Sequence, residues 1–132
     1  MNKILTIAID FDGTIVKHRY PELGEDIPNA LEVIKKLQDK GHKIILYTMR
    51  SDKEDMETLT DAVVYLKERN IKLYGINQNK SQKHWTDSSK VYANYYIDDA
   101  AIGCPLIWEE EEDKPYVNWV KIEEILIQNK IL

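Results

Sequence analysis

The stretch Ile4-Leu5-Thr6-Ile7-Ala8-Ile9-Asp10-Phe11-Asp12-Gly13-Thr14 constrains the fold more than any other part of the chain. It opens as an almost unbroken apolar run rich in β-branched residues. Such a run reads as a strand buried on both faces, the pattern of a central strand in a parallel sheet. It stops at two carboxylates flanking one phenylalanine, and Gly13 then allows a sharp turn with close backbone approach. In open α/β sheets, ligands sit outside the carboxyl ends of the strands. Asp10 and Asp12 are therefore expected where a small ligand docks. A solvated Asp-Gly turn is the competing reading of the motif taken alone. The apolar run that enters it weighs against that.

The rest of the chain alternates helical and strand patterns. A charged loop with Pro and Gly follows Thr14, and His18 and Arg19 read there as solvent-exposed. Pro28 suits the first position of a helix, with Leu31, Ile34 and Leu37 at helical spacing and Gly41 as its stop. Ile44-Ile45-Leu46-Tyr47 is a second buried strand, ending at Thr48-Met49-Arg50-Ser51. Ser51 or Asp52 is placed to cap a helix running to about Arg69. Ile71 to Tyr74 reads as a third strand, and Asn77 to Ser89 as a polar loop with one helical turn. Val91 to Ile97 reads as a fourth strand, ending at Asp98-Asp99. Leu106-Ile107-Trp108 and Tyr116-Val117-Asn118 suggest a small hairpin around a solvated acidic turn, Glu109 to Asp113. Trp119 to Gln128 reads as the closing helix. Alternating strands and helices predict a parallel, layered α/β sheet.

The 132 residues suit one domain, 1–132, with a single core. No apolar run approaches the roughly 20 residues needed to span a bilayer. No secretory signal is visible, and the single cysteine, Cys104, excludes an internal disulfide framework. A cytoplasmic protein is expected, with Cys104 as a packing residue. The net charge of −5 disfavours broad binding to nucleic acid while leaving room for a local basic patch.

Polar groups gather at strand ends: Asp10 and Asp12, Thr48 and Arg50, Asp98 and Asp99, with Lys90 just before the fourth strand. In a parallel sheet these ends share one edge. Carboxylates so placed raise one another's pKa values unless a cation is present. Oxygen-only donors point to a hard cation, Mg²⁺ first. Metal, lysine and hydroxyl are what phosphoryl transfer needs. An ionised Asp can attack phosphorus, and a second carboxyl can carry the proton.

The order of these motifs resembles the haloacid dehalogenase (HAD) superfamily. Asp10-Phe11-Asp12-Gly13-Thr14 is similar to its first motif, Tyr47-Thr48 to its second and Tyr95-Tyr96-Ile97-Asp98-Asp99 to its fourth. Lys90 is placed like the lysine of its third, with Lys80 and Lys83 as further candidates. The resemblance implies a three-layer α/β/α Rossmann-like domain with a mainly parallel sheet. It implies Asp10 as nucleophile and metal ligand, and Asp12 as general acid/base with its carbonyl on the metal. Thr48 and Lys90 would bind the phosphoryl group, and Asp98 and Asp99 would complete a Mg²⁺ site. Gly13, Thr14 and Arg50 are further substrate-contact candidates, Arg50 reading equally well as a helix-start salt bridge. Neither interval between motifs has room for a cap domain, so a capless phosphatase is expected, and a second subunit could serve as its lid. The expected substrate is a small phosphorylated metabolite, with phosphorylated nucleic-acid ends as the alternative. Substrate contacts are expected from the His18-Arg19 loop and from the Lys80–Trp85 loop. There Trp85 could stack on a base or sugar, but packing on the sheet is the favoured reading. A phospho-receiver module uses similar groups in a different order. A binding protein that keeps the fold is the other rival, and fold alone does not decide function.

Overall fold

In the computed structural model, which describes residues 3–132, the Ile4–Ile9 run forms a strand over Thr6–Ile9, with Ile4 exposed ahead of it. In chain order the elements are β1 (Thr6–Ile9), α1 (Ala30–Asp39), β2 (Lys43–Leu46), β3 (Asp52–Lys53), β4 (Met56–Glu57), α2 (Thr58–Glu68), β5 (Leu73–Ile76), a 3₁₀ turn (Lys80–Gln82), β6 (Tyr95–Ile97), β7 (Leu106–Ile107), β8 (Tyr116–Val117) and α3 (Trp119–Gln128). The main sheet has four strands in the order β5-β2-β1-β6. Every pairing within it is parallel. β1 is buried along its whole length between two partners, which explains its uninterrupted apolar sequence.

Side chains alternate across the sheet with period two. Ile7, Ile9, Ile44 and Leu46 face one cluster, which holds Val33, Ile34 and Leu37 of α1, Ala62 and Leu66 of α2, and Ile122 and Leu126 of α3. Ala8 and Ile45 face the opposite side. There they meet Val91 and Ala93, with Tyr47 and Tyr74 packed alongside. The covering segment, residues 77–93, contains only the 3₁₀ turn. Cys104 is half-buried against the larger cluster, as expected of a packing residue. Among the described residues, no helix is long and apolar enough to cross a membrane.

Several boundaries differ from the sequence reading. Helix α1 starts at Ala30, two residues after Pro28, because Asn29 adopts φ 68°. Residues 52–57 form a short antiparallel hairpin, β3 with β4, and α2 begins only at Thr58. Asp52 still serves the helix from across that hairpin, accepting from the Leu59 and Thr60 amides at 3.1 and 3.0 Å. β5 lies two residues beyond the expected strand, at Leu73–Ile76. β6 is shorter than the apolar run that announces it. Asn94 stops the run, its side chain accepting from Thr6 N and its amide donating to Thr6 O. β7 and β8 pair antiparallel apart from the main sheet, and α3 spans the residues expected of it.

Candidate functional site

The chain runs from β1 outward through β2 to β5, then crosses back to β6 on the other side of β1. Strand order reverses between β1 and β6, and such a reversal opens a crevice at the carboxyl edge. Ile9 lies level with Ile97, so Asp10 and Asp98 leave the sheet side by side. The Asp10 amide donates to Ile97 O at 3.0 Å. Carboxylate oxygens of Asp10, Asp98 and Asp99 all lie within 4.8 Å of one another. Burial pushes the Asp10 carboxyl up to about 8, aided by the neighbouring Asp99 and Asp98 and opposed by the Thr14 hydroxyl. Asp98 is also raised, mainly by burial. Three acids brought together this way require a proton or a cation, and an all-oxygen donor set fits a hard divalent ion.

Thr14 is fully buried. Its hydroxyl donates to Asp10 Oδ2 at 2.9 Å and accepts from the Asp99 amide at 3.1 Å. It ties the end of β1 to the end of β6 and offers nothing to a substrate, which corrects the expectation of a substrate contact. Gly13 has φ 82°, and a Cβ there would lie 2.1 Å from His18 Nε2 and 2.4 Å from Asp99 Oδ2. The glycine thus admits the imidazole, which sits 2.9 Å from Asp99 Oδ2. His18 therefore adjoins the carboxylates, where the sequence favoured an exposed loop over a substrate contact. Nothing in its local sequence signals this, because the contact spans 81 positions.

Asp12 points elsewhere. Its oxygens accept from Arg50 Nε at 2.8 Å and from Nη2 at 2.7 Å. Arg50 Nη1 reaches Pro21 O and Thr58 O, and Nη2 also reaches Glu22 O. All five guanidinium donors have protein partners. The Phe11 and Tyr20 rings lie 5.1 and 5.3 Å from its Cζ. Arg50 is thus a buried clamp, and this corrects its placement among substrate contacts. The side chain of Asp12 likewise stands outside the three-carboxylate group.

Thr48 lies just beyond β2, next to Tyr47, whose amide donates to Ile9 O at 2.9 Å. Its amide donates to Asn77 Oδ1 at 2.8 Å, and its hydroxyl accepts from the Arg50 amide at 3.1 Å. Lys90 is exposed, its ammonium 5.6 Å above the Tyr96 ring and in no ion pair with the carboxylates. Lys80 and Lys83 are exposed as well. Beside His18 opens a cleft of about 500 Å³, walled by Arg19 and Tyr20 on one side and residues 111–114 on the other. Arg19 is occupied there by Glu112, at 2.9 and 3.0 Å.

No protein-family model and no curated protein matches the chain. Among solved structures, a conserved protein from Bacteroides thetaiotaomicron is 36% identical, with a TM-score of 0.75 over 97% of this chain and 93% of that one.

Proposed function

The chain belongs to the same family as that conserved Bacteroides thetaiotaomicron protein; from the order of its motifs and the geometry of its strand ends we propose that it is a Mg²⁺-dependent phosphohydrolase of the HAD type, cleaving phosphomonoesters through an aspartyl-phosphate. The observation that carries the reading is the group Asp10, Asp98 and Asp99 at the reversal of strand order, with Asp10 pushed up to about 8 by burial and its acidic neighbours. Mg²⁺ held by these three residues would neutralise charge on the phosphoryl oxygens. Asp10 attacks phosphorus, and the bond to the leaving oxygen breaks. Asp12 gives that oxygen its proton, then takes one from the water that releases phosphate and restores the Asp10 carboxylate. This role requires the Asp12 carboxyl to turn away from Arg50, which holds both of its oxygens. Thr48 positions the phosphoryl group. Lys90 supplies further positive charge once its flexible side chain leaves Tyr96.

In this reading the protein is a capless three-layer α/β/α domain, with residues 77–93 standing in the second outer layer. The net charge of −5 favours a small phosphorylated metabolite as substrate. The test is phosphate release from a panel of phosphomonoesters with and without Mg²⁺. The expected result is Mg²⁺-dependent release that disappears in Asp10→Asn while the circular dichroism spectrum is kept. Release that survives in the variant would overturn the assignment.

A further inference from the structure

The sequence favours packing Trp85 against the sheet, yet its indole is 64% exposed. It meets Tyr92 edge to face, centroids 5.7 Å apart at 84°. Tyr92 is itself 42% exposed. Large rings held in water mark a contact surface more often than a lone apolar residue does. Lys80, Lys83 and Lys90 stand exposed on the same segment. Like most lysines of the chain, they form no ion pair with a carboxylate among the described residues. Between residues 77 and 96 the only acid is Asp87, so this segment is positive within a chain of net charge −5.

The segment is also braced. Buried Gln82 donates to Ser88 O and Lys90 O and accepts from the Tyr92 amide. Buried Asn79 donates to Tyr92 O. Rings and lysines are thus presented on a fixed frame, which lowers the entropic cost of binding. A cleft of about 380 Å³ lies within it, lined by Asn79, Gln82, Lys83, Thr86, Asp87 and Ser88 among others. At its start, Asn77 joins the frame to Thr48 at the carboxyl edge.

We propose that this face binds single-stranded nucleic acid. The indole offers a stacking surface for a base, the lysines neutralise backbone phosphates, and the cleft takes the polar sugar and base edges. An acidic peptide would use the lysines but not the ring. A duplex hides the base faces that the ring would stack on. The acidic charge of the rest of the chain limits the contact to this face. The inference rests on binding alone and stands whether or not the chain hydrolyses phosphomonoesters.

The test is fluorescence anisotropy of a labelled oligothymidylate titrated with the full chain over a range of salt. Binding is expected, with the log of affinity falling against the log of salt at a slope of about −2 for three neutralised phosphates. Trp85→Ala should weaken it about tenfold, in line with the loss of one base stack. Lys80→Ala combined with Lys83→Ala should make the slope shallower by about 1.4. These side chains are exposed, so circular dichroism should show an unchanged fold. No binding at low salt would overturn the proposal. So would equal affinity for a duplex, or variants that bind like the parent.

Discussion

Arg50 shows how a residue that the sequence reads equally as a phosphate contact and as a structural ion pair is decided by its partners. Its position two residues after Thr48 suggests a phosphate ligand, yet every donor is held by Asp12 or by carbonyls from Pro21, Glu22 and Thr58. The fork geometry matters more than the charge, because a lysine cannot make two parallel bonds to a carboxylate. Arg50→Lys should therefore destabilise the fold by about 3 kcal/mol, the scale of a broken buried ion pair. Urea unfolding followed by circular dichroism would measure it, and a midpoint within error of the parent would refute the clamp. The contrast with Asp10 is instructive. Asp10, Asp98 and Asp99 were readable because each follows an apolar strand, and parallel strands end on a common edge. Arg50, Thr14, His18 and Trp85 take their roles from partners or surroundings set by loop paths. The Arg50–Asp12 pair spans 38 positions and His18–Asp99 spans 81. Hydrophobic periodicity carries no information about such paths.

Elements were readable where periodicity and end signals agreed. Helix α3 buries a Trp119, Ile122, Leu126 stripe and its observed limits match the expected run, while Asn118, read from sequence as part of the hairpin, serves as its cap. The Asn118 side chain accepts from the Lys121 amide at 3.2 Å, satisfying one of the orphan donors of the first turn. Asn118→Ala should cost about 1 kcal/mol of stability. Glu124→Ala, on the exposed face of the same helix, is the comparison, and an equal loss in both would argue against capping. The start of α3 also reaches the site. Buried Trp119 donates its indole N–H to Thr14 O at 2.6 Å, on the turn that holds Asp10 and Asp99. Where apolar runs and hydrogen-bond ladders diverge, the pattern misleads. Val91 and Ala93 are buried without joining β6, because the Asn94 bonds to Thr6 set where pairing begins. Residues 52–57 carry helix-compatible side chains, yet they form a hairpin that swings Asp52 back onto the first turn of α2.

At the scale of the whole molecule, the three carboxylates couple folding to pH and, on the proposed reading, to metal. The Asp10 carboxyl, ordinarily near 3.8, is raised to about 8 by burial and its acidic neighbours. Between those values the native state holds a proton that the unfolded state has released. Stability of the metal-free protein therefore falls as pH rises from about 4 to about 8, and the cost is fully present above that. Asp98, raised mainly by burial, acts with the same sign. Asp52 and Glu112 act oppositely. Hydrogen bonds from Thr60 and Arg19 hold them below their ordinary values, so their contribution is complete above the usual carboxylate range and is lost on acidification. The melting temperature without metal should therefore peak in mild acid and decline toward pH 8. A bound divalent cation replaces the missing proton, so Mg²⁺ should raise the melting temperature most at the alkaline end. At free Mg²⁺ about a hundred times Kd, the gain is about 2.7 kcal/mol. Asp10→Asn removes both the titrating group and a ligand oxygen, so it should flatten the decline and reduce the response to Mg²⁺ together. If the variant keeps the parent's pH slope and Mg²⁺ response, the carboxylates at the β1–β6 edge are not a metal centre, and the coupling lies elsewhere in the chain.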